Sequence, residues 1–594
     1  MAEGGDGAPP GAGRRLGFAA LGVLLGAADT YVVVIALPAI MSSIGIDLSH
    51  LGQATPIISC FLLGYIAVLP LLGRLSDLFG RGPVLLSCLL VFALGSLVTA
   101  SANSLVEVVV GRTLQGAGGG GLVPVTLALV ADLWPPRRRG VPLGVVGAVQ
   151  EFGSVVGPLY GAALTAAGTW RAIFYVNVPL TAVVAAGVRS RRPAGAALRR
   201  FDVLGGCLAV VCAAATALAI ATPPALTDSV VAGTAFVPLV TGVAITSPVA
   251  ALALVSAGLL LFRELTVPPS VRPLLGLRGL PGGLRRVDWP GALLVALVLG
   301  AIVAVFATAD PQSGVLGAGA PVLLPAAAAL AALFVVRELR TPDPLVDLRA
   351  LANRAATGSL LANLAVGAAL MAALVDIPVF ARATADPDSQ LGAALVLARL
   401  LVAVPVGALL GGALVGRFGN RAVAGLGMLV TAVMFWLMAG WTGTTLSDPL
   451  GATWLHPSDP VLLACGLGFG LSIVPVTAAM LGAVPARLHG VAASLTVAAR
   501  MVGMLTGLAV LTAIGLRRFY SVQAMLPNPA TLCPRTPLQC PAYNTLETGA
   551  IIDELHVIFI GAAVCALVAA VLAAALLRAH AVDGGGSRLG MGVA

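Results

Sequence analysis

The sequence predicts an all-α polytopic membrane protein, two six-helix bundles with additional central transmembrane helices, 14–16 in total. Three observations predict it. First, 59% of the 594 residues are hydrophobic and 10% are charged, against roughly 25% charged in a soluble domain. Second, apolar runs near or above 18 residues recur from Leu16 to the C-terminal region. Each can cross about 30 Å of hydrocarbon as a helix. Third, the basic residues gather in alternate short loops, as the positive-inside rule requires. The runs lack the polar faces of soluble helices and the two-residue alternation of barrel strands.

The N-terminal tail, 1–16, is short and polar and has no recognisable secretory h-region or cleavage site. Arg14 and Arg15 precede the first span and favour a cytoplasmic start. The first bundle, 17–189, reads as spans 17–40, 53–72, 83–102, 107–131, 140–163 and 171–189. Its basic loops carry Arg74 and Arg81, then Arg137, Arg138 and Arg139, then Arg189 through Arg200.

The central linker, 190–355, carries an internal repeat. Asp202 parallels Asp288, Gly205 parallels Gly291, and Arg263-Glu264-Leu265 parallels Arg337-Glu338-Leu339. This reads as a duplicated two-helix unit, with spans near 202–222 and 241–262, then 289–308 and 318–337. Pro and Thr interrupt the apolar segment 229–243, so the linker adds two to four helices.

The second bundle, 356–577, reads as spans 356–380, 389–413, 422–441, 461–481, 491–514 and 551–577, with a long outer loop at 515–550. Trp441 and Trp454 flank another outer loop as interfacial anchors. The tail 578–594 returns to the cytoplasm, so both termini are expected inside a bacterial inner membrane. The outer loop holds Cys533 and Cys540, a possible disulfide on an oxidising face. The remaining cysteines sit in apolar spans as small packing residues.

Two acids lie deep in apolar spans: Asp29 in span one and Glu151 in span five. A carboxylate in hydrocarbon is costly unless it faces a polar cavity, finds a partner or takes a proton. Their presence points to movement of protons or solutes. Arg112, in span four, needs a polar partner for the same reason. Asp376 falls near the outer end of the first span of the second bundle, to line a vestibule or reach water. Arg500 sits mid-depth, to balance an acid or meet a polar substrate region.

The segment GRLSDLFGRGP follows span two. Its Gly73, Asp77, Gly80 and Arg81 match the G-x-x-x-D-x-x-G-R signature of the major facilitator superfamily, with Gly82 where a further basic residue is usual. GALVGRFGNR, with Gly412, Arg417, Gly419 and Arg421, is a weaker echo lacking the acid. Arg112, Gln115 and Gly116 match R-x-x-Q-G. Gly153, Gly157, Pro158 and Gly161 resemble the G-x-x-x-G-P-x-x-G motif of exporting members. TWRAIFYVNVPL resembles the drug:proton antiporter branch with 14 spans. GAADTYVVV, FLLGYIAVLPLLGRLSD, GAVQEFGSVVGPLYG, ALMAALVDIPVF and VAARMVGML resemble the mycobacterial triacylglyceride and multidrug exporters of that branch. The extra segment 201–286 departs from them.

The resemblance implies roles. Asp29, Glu151 and Arg112 are expected in proton coupling. Gly73, Asp77, Gly80, Arg81, Gln115, Gly153, Gly157, Pro158 and Gly161 are expected in conformational gating, and Asp376 and Arg500 in substrate contact or charge balance. It implies proton-coupled export of lipids such as triacylglycerides, and of drugs, by alternating access. The partners implied are membrane lipid, a lipophilic substrate and a periplasmic lipid-carrying lipoprotein.

Two alternatives stand beside this: a multidrug:proton antiporter without a lipid role, and a nutrient-importing facilitator. The second would want a cavity dense in Asn, Gln and aromatic residues, which these spans lack outside Asn363 and a few others. No nucleophile triad, metal-ligand cluster or ATP-binding loop appears, so no enzyme activity, metal or cofactor is expected and the proton gradient is the expected drive. The net charge of +9 lies in short loops, which disfavours nucleic acid binding. A monomer is expected.

Overall fold

In lipid a backbone must satisfy its own polar groups, so apolar spans of this length resolve as helices. The computed structural model describes residues 9, 11–46, 51–167, 169–188, 200–221, 233–237, 247–268, 271–272, 287–307, 319–385, 389–447, 456–533 and 540–577. The first half contains α1 (Ala12–Ser43), α2 (Leu51–Phe79), α3 (Arg81–Ala100), α4 (Leu105–Leu133), α5 (Gly140–Ala167) and α6 (Arg171–Val188). The central segment contains α7 (Val203–Ala221), α8 (Pro248–Thr266), α9 (Trp289–Ala307) and α10 (Ala320–Arg340). The second half contains α11 (Arg354–Thr384), α12 (Gln390–Met438), α13 (Ser458–Gly482), α14 (His489–Gln523) and α15 (Pro541–Leu576).

Among the described residues, twelve helices are long and apolar enough to cross a membrane. One of these is α12, two helical arms bent at Gly419, so the second half also has six rods. The strand content described is one two-residue parallel pairing, Arg200–Phe201 with Val271–Arg272.

Side-chain caps fix several helix starts. Ser104 accepts from the Glu107 N–H, Asn353 from Ala356 and Ser389 from Gly392. Gly80 separates α2 from α3 at φ 88°, ψ 158°. Gly419 bends α12 at φ 77°, ψ 162°. The two halves thus reuse one backbone corner that side-chain-bearing residues rarely adopt, and it falls where the sequence echo lies.

Two boundaries differ from the sequence reading. The signature segment after span two is helical through Phe79, so Gly73 and Asp77 ride on α2 and only Gly80 makes the turn. The segment 515–550 is largely helix as well. α14 continues to Gln523 and α15 begins at Pro541, with a short helix Pro529–Leu532 between them. LRRFYSVQ has no Gly or Pro to stop a helix, so polarity alone misled. At about 1.5 Å per residue, the 35 residues of α14 and 36 of α15 exceed about 30 Å of hydrocarbon. Their polar arms are joined by Arg518 and Asp553 at 3.0 Å.

The halves meet along two seams, α5 against α12 and α2 against α14. At the first seam a Cβ on Gly144 would sit 3.0 Å from the Ala408 carbonyl oxygen. The central helices form two hairpins, α7 with α8 and α9 with α10. In each, the aspartate before the first helix caps it and pairs with the arginine near the end of the second. Asp202 accepts from Gly205 N–H and pairs with Arg263 at 3.1 Å. Asp288 accepts from Gly291 N–H and pairs with Arg337 at 2.6 Å. The α9 helix of the second hairpin lies against α2 and α14 at the seam.

Trp441 is 5% exposed, packed against Phe380 and Phe559. It serves the second-half core and not an interfacial belt, because the loop after α12 folds it inward. Trp454, the tail 578–594 and most of 229–243 lie outside the described residues.

Candidate functional site: two buried ion pairs and an inter-half latch

Asp29 lies mid-way along α1 and is 2% exposed. Its Oδ2 accepts from Arg112 Nη1 of α4 at 2.6 Å. Its Oδ1 accepts from Asn177 Nδ2 of α6 at 2.8 Å and Gln115 Nε2 at 3.2 Å. Arg112 and Gln115 are three residues apart, so one helix face presents both. Gln115 Nε2 also donates to Ser96 Oγ of α3 at 2.8 Å, and Gln115 Oε1 accepts from Arg112 Nη1 at 3.1 Å. The Arg112 guanidinium sits 4.0 Å from the Phe61 ring centroid, within cation–π range. The network ties α1, α3, α4 and α6 together within the first half.

Glu151 belongs to a different network. Its Oε1 accepts from Arg500 Nη1 of α14 at 3.1 Å, across the boundary between the halves. Two cavities flank this bridge. One is lined by Thr30, Tyr65, Glu151, Ser154, Arg500 and Met504 among others. The second, a small one, lies toward the end of the bundle that carries the arginine-rich loops, here called the basic end. Gln150, Asn363, Thr477, Thr496 and Arg500 contribute to its lining. Gln150 and Arg500 line both.

At the basic end the halves are latched. Asp77 accepts from the backbone N–H groups of Gly490 at 2.8 Å and Val491 at 3.0 Å. These are free donors of the first turn of α14, where the helix dipole also favours a carboxylate. Arg81 pairs with Asp77 at 2.5 Å and with Asp132 of α4 at 2.8 Å. His489 Nδ1 lies 3.3 Å from Asp132 Oδ1. Gly73 serves close approach: a Cβ there would sit 2.5 Å from Ser494 Oγ and 2.6 Å from the Gly490 carbonyl oxygen.

Gly153, Gly157 and Gly161 form a stripe on α5 against α1. Added Cβ atoms would meet Ala27 Cβ at 2.7 Å, Ala28 O at 2.5 Å and Val32 Cγ2 at 2.5 Å. The stripe is what lets α1 and α5 pack backbone to backbone. The side chain of Pro158 lies outside the described residues.

The structure thus joins Asp29 with Arg112 and Gln115, and Glu151 with Arg500, but keeps the two acids in separate networks. Asp376 on α11 is 5% exposed, packed away from water. Cys533 and Cys540 are joined as a disulfide between the α14 and α15 arms. Sequence reading gave no site role to Asn177, Ser96, Asp132 or His489. Asn177 was visible as a lone amide in an apolar span; the other three carried no signal separate from ordinary helix-end or core polarity.

Two six-helix halves, facing each other across cavities that hold a charged bridge, define a membrane transporter built from two helical bundles. Residues 19–262 match the Major Facilitator Superfamily. The chain is 37% identical over 509 residues to a triacylglyceride transporter of Mycobacteroides abscessus, covering 85% of this chain and 82% of that protein. It is 36% identical over 540 residues to the triacylglyceride transporter of Mycobacterium tuberculosis, covering 88% of each. The human organic anion transporter shares the fold, with a TM-score of 0.50 and 14% identity over 94% of this chain and 100% of that one. The chain belongs to the major facilitator superfamily, as a multi-pass transporter closely related to the mycobacterial triacylglyceride transporters.

Proposed function

We propose that this chain exports lipids of the triacylglyceride type from a bacterial inner membrane, driven by protons entering in exchange. The named relatives supply the substrate class. The Glu151–Arg500 bridge carries the coupling, because it joins the two halves and borders both cavities. Protonating Glu151 removes the charge that holds Arg500. A half-to-half contact then weakens, and a polar cation faces the cavity. Alternating access follows as a rocking of the bundles about the seams, with the Asp77 latch closing the basic end, read here as cytoplasmic.

Asp29 and its donors act as a second charged centre within the first half, able to hold α1 in register with α4 and α6 as the bundle tilts. The disulfide-joined arms of α14 and α15 offer a landing surface for a periplasmic lipid-carrying lipoprotein. The protein works as a monomer with no cofactor in this reading.

The test is reconstitution into vesicles with labelled triacylglyceride and an imposed pH gradient. Wild type should move lipid only with the gradient, and Glu151→Gln should lose the gradient dependence. Transport indifferent to the gradient in wild type would defeat the coupling. Movement of small cationic dyes without lipid would defeat the substrate assignment.

A further inference from the structure

We propose that the cavity on the basic side of Arg500 is a subsite for a lipid head group bearing a free hydroxyl beside ester carbonyls, the chemistry of a partial glyceride. The inference rests on the lipid-transport reading above and names the head-group chemistry of that site. Asn363 of α11 lines this cavity and is 3% exposed. Its Nδ2 donates to the Thr496 carbonyl oxygen at 2.8 Å, which fixes the orientation of the amide. Its Oδ1 is buried with no hydrogen-bond partner. A buried amide oxygen left this way is costly, so it wants a donor.

The neighbouring side chains do not supply one. The hydroxyls of Thr477 and Thr496 donate to backbone carbonyls of their own helices, at 3.0 and 2.8 Å. Gln150 Nε2 is directed at Glu151 Oε1, 3.4 Å away. Arg500 lines the same compartment, with its Nη1 held by Glu151. The compartment therefore offers an acceptor at Asn363 and the guanidinium of Arg500, with Leu143 and Val474 as apolar wall. A hydroxyl donates to the first while an ester carbonyl accepts from the second. A triester carries acceptors only and leaves Asn363 Oδ1 unpaired.

The experiment is competition binding to the full-length protein in lipid nanodiscs, with labelled dioleoylglycerol as probe. The competitors are unlabelled dioleoylglycerol, its O-methyl ether and trioleoylglycerol. Wild type should bind the ether and the triester roughly tenfold more weakly than the free alcohol. Asn363→Leu should erase that difference and leave the affinity for the ether unchanged. Equal affinity for alcohol and ether in wild type would overturn the proposal, and that comparison needs no variant. An Asn363→Leu protein weakened equally toward all three ligands would also overturn it, since Asn363 would then only support the fold. If none of the lipids binds wild type, the lipid-transport reading itself falls.

Discussion

Glu151 of α5 and Arg500 of α14 stand 349 residues apart in sequence and share a hydrogen bond of 3.1 Å between the two halves of the molecule. Their side chains are 10% and 5% exposed. A buried pair of this kind is more informative about switching than about stability, since desolvation offsets much of the Coulomb attraction. Removing one partner leaves an uncompensated charge. Arg500→Ala should therefore lower thermal stability in detergent more than Glu151→Gln combined with Arg500→Gln. A double-mutant cycle on melting temperature checks this; additive single effects would contradict it.

Arg112 is enclosed more completely, and its partners sit within one half. Arg112→Ala strands Asp29 in the bundle and should destabilise the protein by about 3–5 kcal/mol. Asp553→Ala on the exposed arm should change stability by about 0–1 kcal/mol. Denaturation of the two variants side by side tests the contrast.

The latch at the basic end depends on backbone proximity. Gly490→Val places atoms against Ser76 Oγ, the Gly73 carbonyl oxygen and Arg81 Nη1. It should hold that end apart. Spin labels on the basic ends of α2 and α14 should report a longer distance in Gly490→Val and in Asp77→Asn than in wild type. Unchanged distances in both would mean that the latch does not set the conformation.

The architecture and the charged residues were legible for a physical reason: a carboxylate or guanidinium within an apolar run stands out against its neighbours. Asp29, Arg112, Glu151 and Arg500 all announced themselves this way. Which of them would pair was not legible, because pairing depends on how six-helix bundles face each other. Asp77 lay in a segment read as loop because Gly73 and Gly80 look like turn residues; Gly73 instead permits helix contact. The 515–550 segment looked like loop because its residues are polar, yet polarity there reflects projection of α14 and α15 beyond hydrocarbon. Asp376 was expected near water and is enclosed by helix packing, a tertiary fact.

The central hairpins offer a pH-sensitive comparison. The hydrogen-bonded Arg263 guanidinium holds the Asp202 carboxyl below its ordinary range. A carboxyl depressed on folding contributes stability above its unfolded pKa of about 4, and that contribution is lost as pH falls through the lower folded value. Hydrogen exchange across Val203–Ala221 should stay flat from pH 5 to 8 once the intrinsic rate is removed, and protection should drop below that window. Asp202→Asn should abolish the low-pH drop.

The central claim is that protonation of Glu151 couples the two halves to the proton gradient. The most direct measurement is lipid-dependent proton entry into vesicles holding the purified protein, followed with an internal pH dye. Wild type should acidify the lumen when lipid is supplied, and Glu151→Gln should not, while still binding lipid. Equal lipid-driven acidification by wild type and Glu151→Gln would contradict the account.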